Sequence, residues 1–206
     1  MEHNDRGLNF IPLNLHNLKL YIFTDGSLAN NRDMSSQIGF IIVLGTEIKV
    51  EGQEPAFKLV GNILHWSSTK CKRVTRSSLA SEVYGMVAGF DVGVTIASTL
   101  RMVTSKLSLP EIPLVICTDS LSLYECLVKL GTTAEKRLMI DVMALRQSYE
   151  RREIAETRWI HGDDNPADAL TKVKPNTALS KLVESNELRV RVQGDVKRPP
   201  KTGEAQ

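Results

Sequence analysis

Leu114-Val115-Ile116-Cys117-Thr118 is an almost unbroken apolar run, bounded by Pro113 before it and Asp119 after it. A run without polar alternation suits a strand covered on both faces, as in a parallel sheet packed between helices. It restricts the chain to architectures in which helices lie on a sheet. Residues 19–24, 39–44 and 62–67 are β-branched and aromatic runs, separated by Asp25-Gly26-Ser27 and by a stretch containing Gly45, Gly52 and Pro55. They are expected to form three consecutive antiparallel strands. The stretch 45–61 fits a loop, an extended hairpin or a partner surface equally well.

From Ser77 the period becomes helical. Leu79, Val83, Met86, Val87, Phe90 and Val94 recur at spacings of three and four, with Ser77 or Ser78 as N-cap, and the pattern fades through residues 95–109 before Pro110. Two helical segments, 120–130 and 133–152, break at Gly131. A fifth strand is expected at 156–161, and a last helix at 166–185 with Pro166 in its first position. The order β-β-β-α-β-α-α-β-α predicts one mixed α/β domain, a five-stranded sheet with three antiparallel strands first, flanked by helices. Its expected bounds are a lead-in at 1–17, the domain at 18–186 and a flexible basic tail at 187–206.

Composition agrees with a folded domain: 206 residues, 42% hydrophobic and 24% charged. No window approaches 18 uninterrupted apolar residues, and no apolar segment follows the polar start Met1 to Arg6. Neither a membrane span nor a secretory signal is expected. The cysteines Cys71, Cys117 and Cys126 are odd in number and form no C-x-x-C pair, which argues against a disulfide framework or a zinc site and for a reducing compartment. Net charge is +2, and the first 186 residues alone sum to zero, so any nucleic-acid contact must come from local patches.

Four carboxylates stand where α/β active sites are built. Asp25 ends the first strand and Asp119 the fourth, while Glu82 and Asp168 lie near the starts of the long and last helices. Each alone has a structural reading as a turn former, a cap or a first-turn acid.

They sit in four of five ordered pieces: Phe23-Thr24-Asp25-Gly26-Ser27, His65-Trp66-Ser67-Ser68-Thr69-Lys70, Arg76-Ser77-Ser78-Leu79-Ala80-Ser81-Glu82-Val83-Tyr84, Cys117-Thr118-Asp119-Ser120 and Asn165-Pro166-Ala167-Asp168-Ala169-Leu170-Thr171-Lys172, the second of which carries no acid. In this the chain resembles the ribonuclease H domain of LTR-retrotransposon polyproteins, most like the Ty1/copia type, over residues 18–186. The resemblance implies a ribonuclease-H-like fold and an endonuclease that cuts the RNA strand of RNA–DNA hybrids with two Mg²⁺ ions, Mn²⁺ being able to substitute. It implies that Asp25 bridges both ions, that Glu82 and Asp119 help hold the one near the leaving group, and that Asp168 helps hold the one that positions water. Hard carboxylate oxygens suit Mg²⁺, and two divalent ions offset the repulsion among four acids.

By the same resemblance Gly26 and Ser27 match positions that meet the 2′-hydroxyls of RNA, though both also suit a turn. His161 matches a histidine that helps proton transfer or product departure, yet it stands only seven residues before Asp168, closer than in the cellular and retroviral enzymes, and a structural role competes. The implied partners are an RNA–DNA hybrid and a reverse-transcriptase domain of the same polyprotein, with no membrane. The implied setting is the cytoplasm or a virus-like particle, the nucleus staying open.

Lys70, Lys72, Arg73 and Arg76 form a basic run just before the helix that carries Glu82 and are candidates for phosphate contact, with a merely solvated loop as the other reading. Trp66 is expected in the core, and Asp163 and Asp164 add acids beside the site. A DEDD exonuclease would need an acid where Ser27 stands, and a DDE transposase a final glutamate where Asp168 stands. The rival from another class is a non-catalytic ribonuclease-H-like binding scaffold; retention of all four carboxylates favours catalysis.

Overall fold

A computed structural model describes residues 7–52, 54–130 and 133–197. Strands β1 (Leu18–Ser27), β2 (Gln37–Lys49) and β3 (Ala56–Lys70) pair antiparallel, and β4 (Leu114–Thr118) and β5 (Glu156–Ile160) extend the sheet from β1 in parallel. This is the mixed sheet expected from the sequence, three antiparallel strands first, with one addition. Strand β6 (Glu187–Lys197) pairs antiparallel with both β3 and β5 and closes the sheet in the order β1-β2-β3-β6-β5-β4. The expected count of five strands and the expected flexible tail are therefore corrected for residues 187–197. Leu188, Val190 and Val192 alternate with Arg189 and Arg191, a period-two strand signal that a reading by charge alone passes over. The rest of the expected tail, including Arg198 and Lys201, lies outside the described residues.

Residues 45–61 are mostly an extended hairpin. Its arms pair from Thr46↔Val60 to Lys49↔Phe57, and β6 docks along residues 56–60 of the same arm. Over residues 56–60 this pairing covers the β3 edge, which an uncovered strand would offer to another chain.

Alternation along the strands divides the interior in two. Leu20, Ile22, Leu114 and Ile116 face α1 (Ser78–Lys106), α2 (Leu121–Glu125) and α3 (Met139–Glu150), packing on Val83, Met86, Leu123 and Leu145. Tyr21, Phe23, Val115 and Cys117 face the other way, onto Ile41, Phe57, Leu59 and Val190, with Leu182 of α4 (Ala178–Ser185) in the same cluster. β4 is thus buried on both faces, as its composition requires.

By length and composition α1 could cross a membrane. Its Ala80, Val83, Met86, Gly89 and Gly93 are buried, and the two glycines lie against Ile22 of β1. The helix expected over 166–185 is two pieces, a helical turn Pro166–Leu170 and α4. Pro175 stands between them, and proline disfavours helical backbone in the residue before it. The segment expected as a helix at 133–152 likewise begins with a turn, Lys136–Leu138, before α3.

A charged cluster ties one end of the sheet together. The Arg158 side chain, 3% exposed, donates from Nη2 to Glu47 Oε2 at 2.8 Å and from Nε to Glu156 Oε2 at 3.0 Å, and Lys19 Nζ meets the same two acids at 3.1 and 2.8 Å. The guanidinium also lies 4.6 Å from the centre of the Phe57 ring. Burial works against the Glu47 charge, but Arg158 and Lys19 outweigh it and hold the carboxyl at about 2.

A chain truncated after Asn186 tests the closure. It loses Leu188 and Val190, which are 4% and 0% exposed, together worth about 3–6 kcal/mol at about 1.5–3 kcal/mol each. The expected result is a melting temperature lower by about 10 °C or more, followed by circular dichroism. An unaltered transition would return this segment to a tail.

Candidate active site

The site is assembled where β4 ends beside β1. Thr24 pairs with Thr118, so the next residues, Asp25 and Asp119, lie side by side at one level of the two parallel chains. Asp25 is still inside β1, opposite Gly39, and is 1% exposed, so its reading as a turn residue falls.

Glu82 arrives from the second turn of α1, whose start is set by Ser77 accepting from Ala80 N at 3.1 Å. It can reach Asp25 because two glycines remove the obstruction. A Cβ at Gly26 would lie 2.3 Å from the Ser81 carbonyl carbon and 2.6 Å from Glu82 N, and one at Gly85 would lie 2.7 Å from Asp25 O. Gly26 is thus demanded by helix–strand packing, whatever else it meets.

The outcome is that Asp25, Glu82 and Asp119 each place a carboxylate oxygen within 4.8 Å of the others. Glu82 Oε2 is buried and finds no hydrogen-bond partner among the described residues. Burial, reinforced by the neighbouring acids, raises all three carboxyls: Glu82 far above its ordinary value, Asp25 upward, and Asp119 to about 6. Such a set of hard, mutually repelling oxygens with one orphaned atom fits a divalent cation.

Asp168 is close but does not join this triad. It lies in the turn Pro166–Leu170, 5% exposed, where its Oδ2 accepts from Asn176 N at 2.8 Å and its Oδ1 is ion-paired with Lys172 Nζ. Lys172 Nζ is also 3.8 Å from Asp25 Oδ1, and Thr171 Oγ1 donates to Asp25 Oδ2. A lysine therefore stands between the expected fourth carboxylate and the first.

Asn165 is fully buried and organises the strand ends. Its Nδ2 donates to Thr24 O at 3.0 Å and to Asp119 Oδ1 at 3.1 Å, and its Oδ1 accepts from Ala167 N at 3.1 Å. Asn176 adds bonds to Gly162 O at 2.8 Å and Asn165 O at 3.0 Å. Sequence reasoning singled out only Asp168 of the piece Asn165 to Lys172; the density of polar groups there was the available signal for Asn165, Thr171 and Lys172.

His161 is held beside the triad, since the adjoining Gly162 abuts Asp119, a Cβ there lying 3.3 Å from Asp119 Oδ2. Its Nδ1 accepts from Asp163 N at 3.2 Å and lies 3.1 Å from Arg191 Nη2, a residue supplied by β6. Asp164 is gripped by the same arginine through contacts of 2.8 and 3.0 Å, while Asp163 is largely exposed. Burial notwithstanding, Arg191 keeps the Asp164 carboxyl below its usual range.

Ser27 is half-buried at the end of β1, and its partner Gln37 also pairs with Lys70, so the basic run starts at the site's end of the sheet. Lys70 is ion-paired with Asp33, and Arg73 with Asp141 while lying 4.9 Å over the Tyr84 ring. Lys72 and Arg76 are exposed and make no ion pair among the described residues. Trp66, expected in the core, is 54% exposed. β6 pairs with β3 only over residues 56–60, so the sheet face carrying Trp66 lies beyond the closed part.

Comparison with protein families finds no match, and neither does comparison with curated proteins. Among solved structures, a ribonuclease H1 isolated from compost, in complex with an RNA/DNA hybrid, aligns at 20% identity over 78% of this chain and 99% of its own, with a TM-score of 0.49. The N-terminal ribonuclease H domain of a Mycobacterium tuberculosis protein aligns at 18% identity over 82% and 98%, TM-score 0.45. Prototype foamy virus protease-reverse transcriptase aligns at 15% identity over 87% of this chain and 22% of its own, TM-score 0.42. These are likenesses at low identity, and the chemistry of the site is read from its own residues.

The raised carboxyls make the metal-free site a source of instability at neutral pH. Asp119, at about 6 in the folded chain against 3.8 ordinarily, contributes its full stability only while protonated, below about pH 4, and loses it as pH rises through 6. About two pH units correspond to ~3 kcal/mol. Asp119→Asn is therefore expected to raise the metal-free melting temperature at pH 7.5 by several degrees, the gain shrinking as pH falls from 6 to 4. A gain independent of pH would contradict this origin.

Proposed function

We propose that this protein is an endonuclease that hydrolyses the RNA strand of RNA–DNA hybrids by a two-metal-ion mechanism, as a ribonuclease H domain of a Ty1/copia-like retrotransposon polyprotein acting beside a reverse-transcriptase domain. The observation that carries the reading is the triad of Asp25 on β1, Asp119 just after β4 and Glu82 on α1, with carboxylate oxygens within 4.8 Å of one another and Glu82 Oε2 unpartnered. Asp25, Glu82 and Asp119 would hold one Mg²⁺ or Mn²⁺, and Asp25 with Asp168 the other. When bound, such ions polarise the scissile phosphate, lower the pKa of the attacking water and balance charge on the leaving oxygen.

The chain's own residues supply the rest. Asn165 orients Asp119 and Thr171 orients Asp25, so the carboxylates are set before substrate arrives. His161, engaged through Nδ1, leaves Nε2 to give or take a proton at the departing oxygen. The backbone at Gly26 and the hydroxyl of Ser27 would meet 2′-hydroxyls in a shallow minor groove. Lys72 and Arg76 have exposed charges to offer phosphate, which adds affinity without sequence choice; Lys70 and Arg73 would first have to exchange their carboxylate partners.

Cleavage of a labelled RNA–DNA hybrid, with Mg²⁺ or EDTA and beside an all-DNA duplex, tests the reading. Only the RNA strand is expected to be cut, only with metal, and Asp25→Asn is expected to lower kcat/KM at least about a thousandfold, ~4 kcal/mol. Tight hybrid binding without cutting by the unaltered chain would favour the scaffold. Converting Lys72 and Arg76 together to Ala should flatten the salt dependence of hybrid affinity by about two units of log–log slope, at about one unit per lost phosphate contact. An unchanged slope would leave this run a solvated loop.

A further inference from the structure

The two carboxylates proposed to share the second ion already share a cation. Lys172 Nζ is ion-paired with Asp168 Oδ1 and stands 3.8 Å from Asp25 Oδ1, so one ammonium bridges the pair. The surroundings fix it there. Asp168 and Lys172 are four residues apart on one turn, closed by Lys172 N donating to Asp168 O at 3.1 Å. The second oxygen of each acid is occupied: Asp168 Oδ2 by Asn176 N, and Asp25 Oδ2 by Thr171 Oγ1. Neither carboxylate is left to offer both oxygens elsewhere. The triad differs, since Glu82 Oε2 remains unpartnered and no lysine is paired with Glu82 or Asp119 among the described residues.

From this asymmetry we infer that Lys172 is a built-in counter-cation that keeps the second divalent ion out of the substrate-free protein, which holds a single ion at Asp25, Glu82 and Asp119. The inference rests on the metal reading above and adds to it the order of loading. A divalent ion entering between Asp25 and Asp168 has to displace the ammonium, because two like charges cannot share that space at short range. The lysine has somewhere to go. Its side chain is 43% exposed on a flexible stem, and a nearby phosphate offers the counter-charge that would draw it out.

Counting bound Mn²⁺ by electron paramagnetic resonance, with the full chain and no nucleic acid, tests this independently of cleavage. The expected result is one ion per chain for the unaltered protein, two for Lys172→Met, and one again for Lys172→Arg, which retains the charge. Adding Asp168→Asn to Lys172→Met should return the count to one. Two ions in the unaltered protein, a count that needs no variant and no refolding control, would overturn the inference. So would a single ion in folded Lys172→Met, while leaving the endonuclease reading intact. No ion in the unaltered protein would also overturn the inference, and hybrid cleavage would then decide the endonuclease reading on its own.

Discussion

Everything at the candidate site depends on how closely α1 approaches β1. The contact is backbone against backbone: Gly26 faces the peptide of Ser81 and Glu82, and Gly85 faces the carbonyl of Asp25, at separations no Cβ could enter. Gly89 and Gly93 continue the stripe along the helix against Ile22. A glycine every fourth residue weakens a helix by roughly 1 kcal/mol each relative to alanine. The tertiary contact offsets that loss by allowing Leu20, Ile22, Val83 and Met86 to close over one another. Glu82 is carried toward Asp25 as a consequence of packing, and its orphaned oxygen is the residue of that compromise.

The acids so gathered are held by polar groups outside the cluster. Asn165 joins the end of β1 to Asp119, Thr171 takes one oxygen of Asp25, and Asn176 takes one oxygen of Asp168. Each bond lowers the mobility of a carboxylate and leaves a defined oxygen facing the cluster. Without a metal, burial and mutual repulsion push the triad's carboxyls upward, so the geometry is maintained against its own electrostatics. The core beneath has to supply that stability, and the buried apolar clusters on both faces of β1 and β4 do so.

Strand β6 links this site to the rest of the sheet. It closes the barrel between β3 and β5, and it sends Arg191 to Asp164 and to the Nδ1 edge of His161. The loop carrying His161 is thereby anchored to a segment more than twenty residues further along the chain. At the opposite end, the Arg158, Glu47, Glu156 and Lys19 cluster joins β1, β2 and β5, with its charges paired and desolvated together. A broken pair there would leave a buried charge, which is the strongly destabilising case.

The sequence by itself determined the order of the first five strands, the double burial of β4, the antiparallel start and the availability of Asp25, Glu82 and Asp119 on or beside those elements. These are local signals, because period, turn chemistry and capping act within a few residues of one another. Only the tertiary structure decided that β6 closes the sheet, that Trp66 is exposed, that Pro175 separates the last helical turn from α4, and that Lys172 stands between Asp168 and Asp25. Pairing partners and charge neighbours are set by contacts between residues as far apart as Asp25 and Lys172, a separation over which no sequence period extends. Composition therefore revealed which groups were available for chemistry, and packing decided which of them meet.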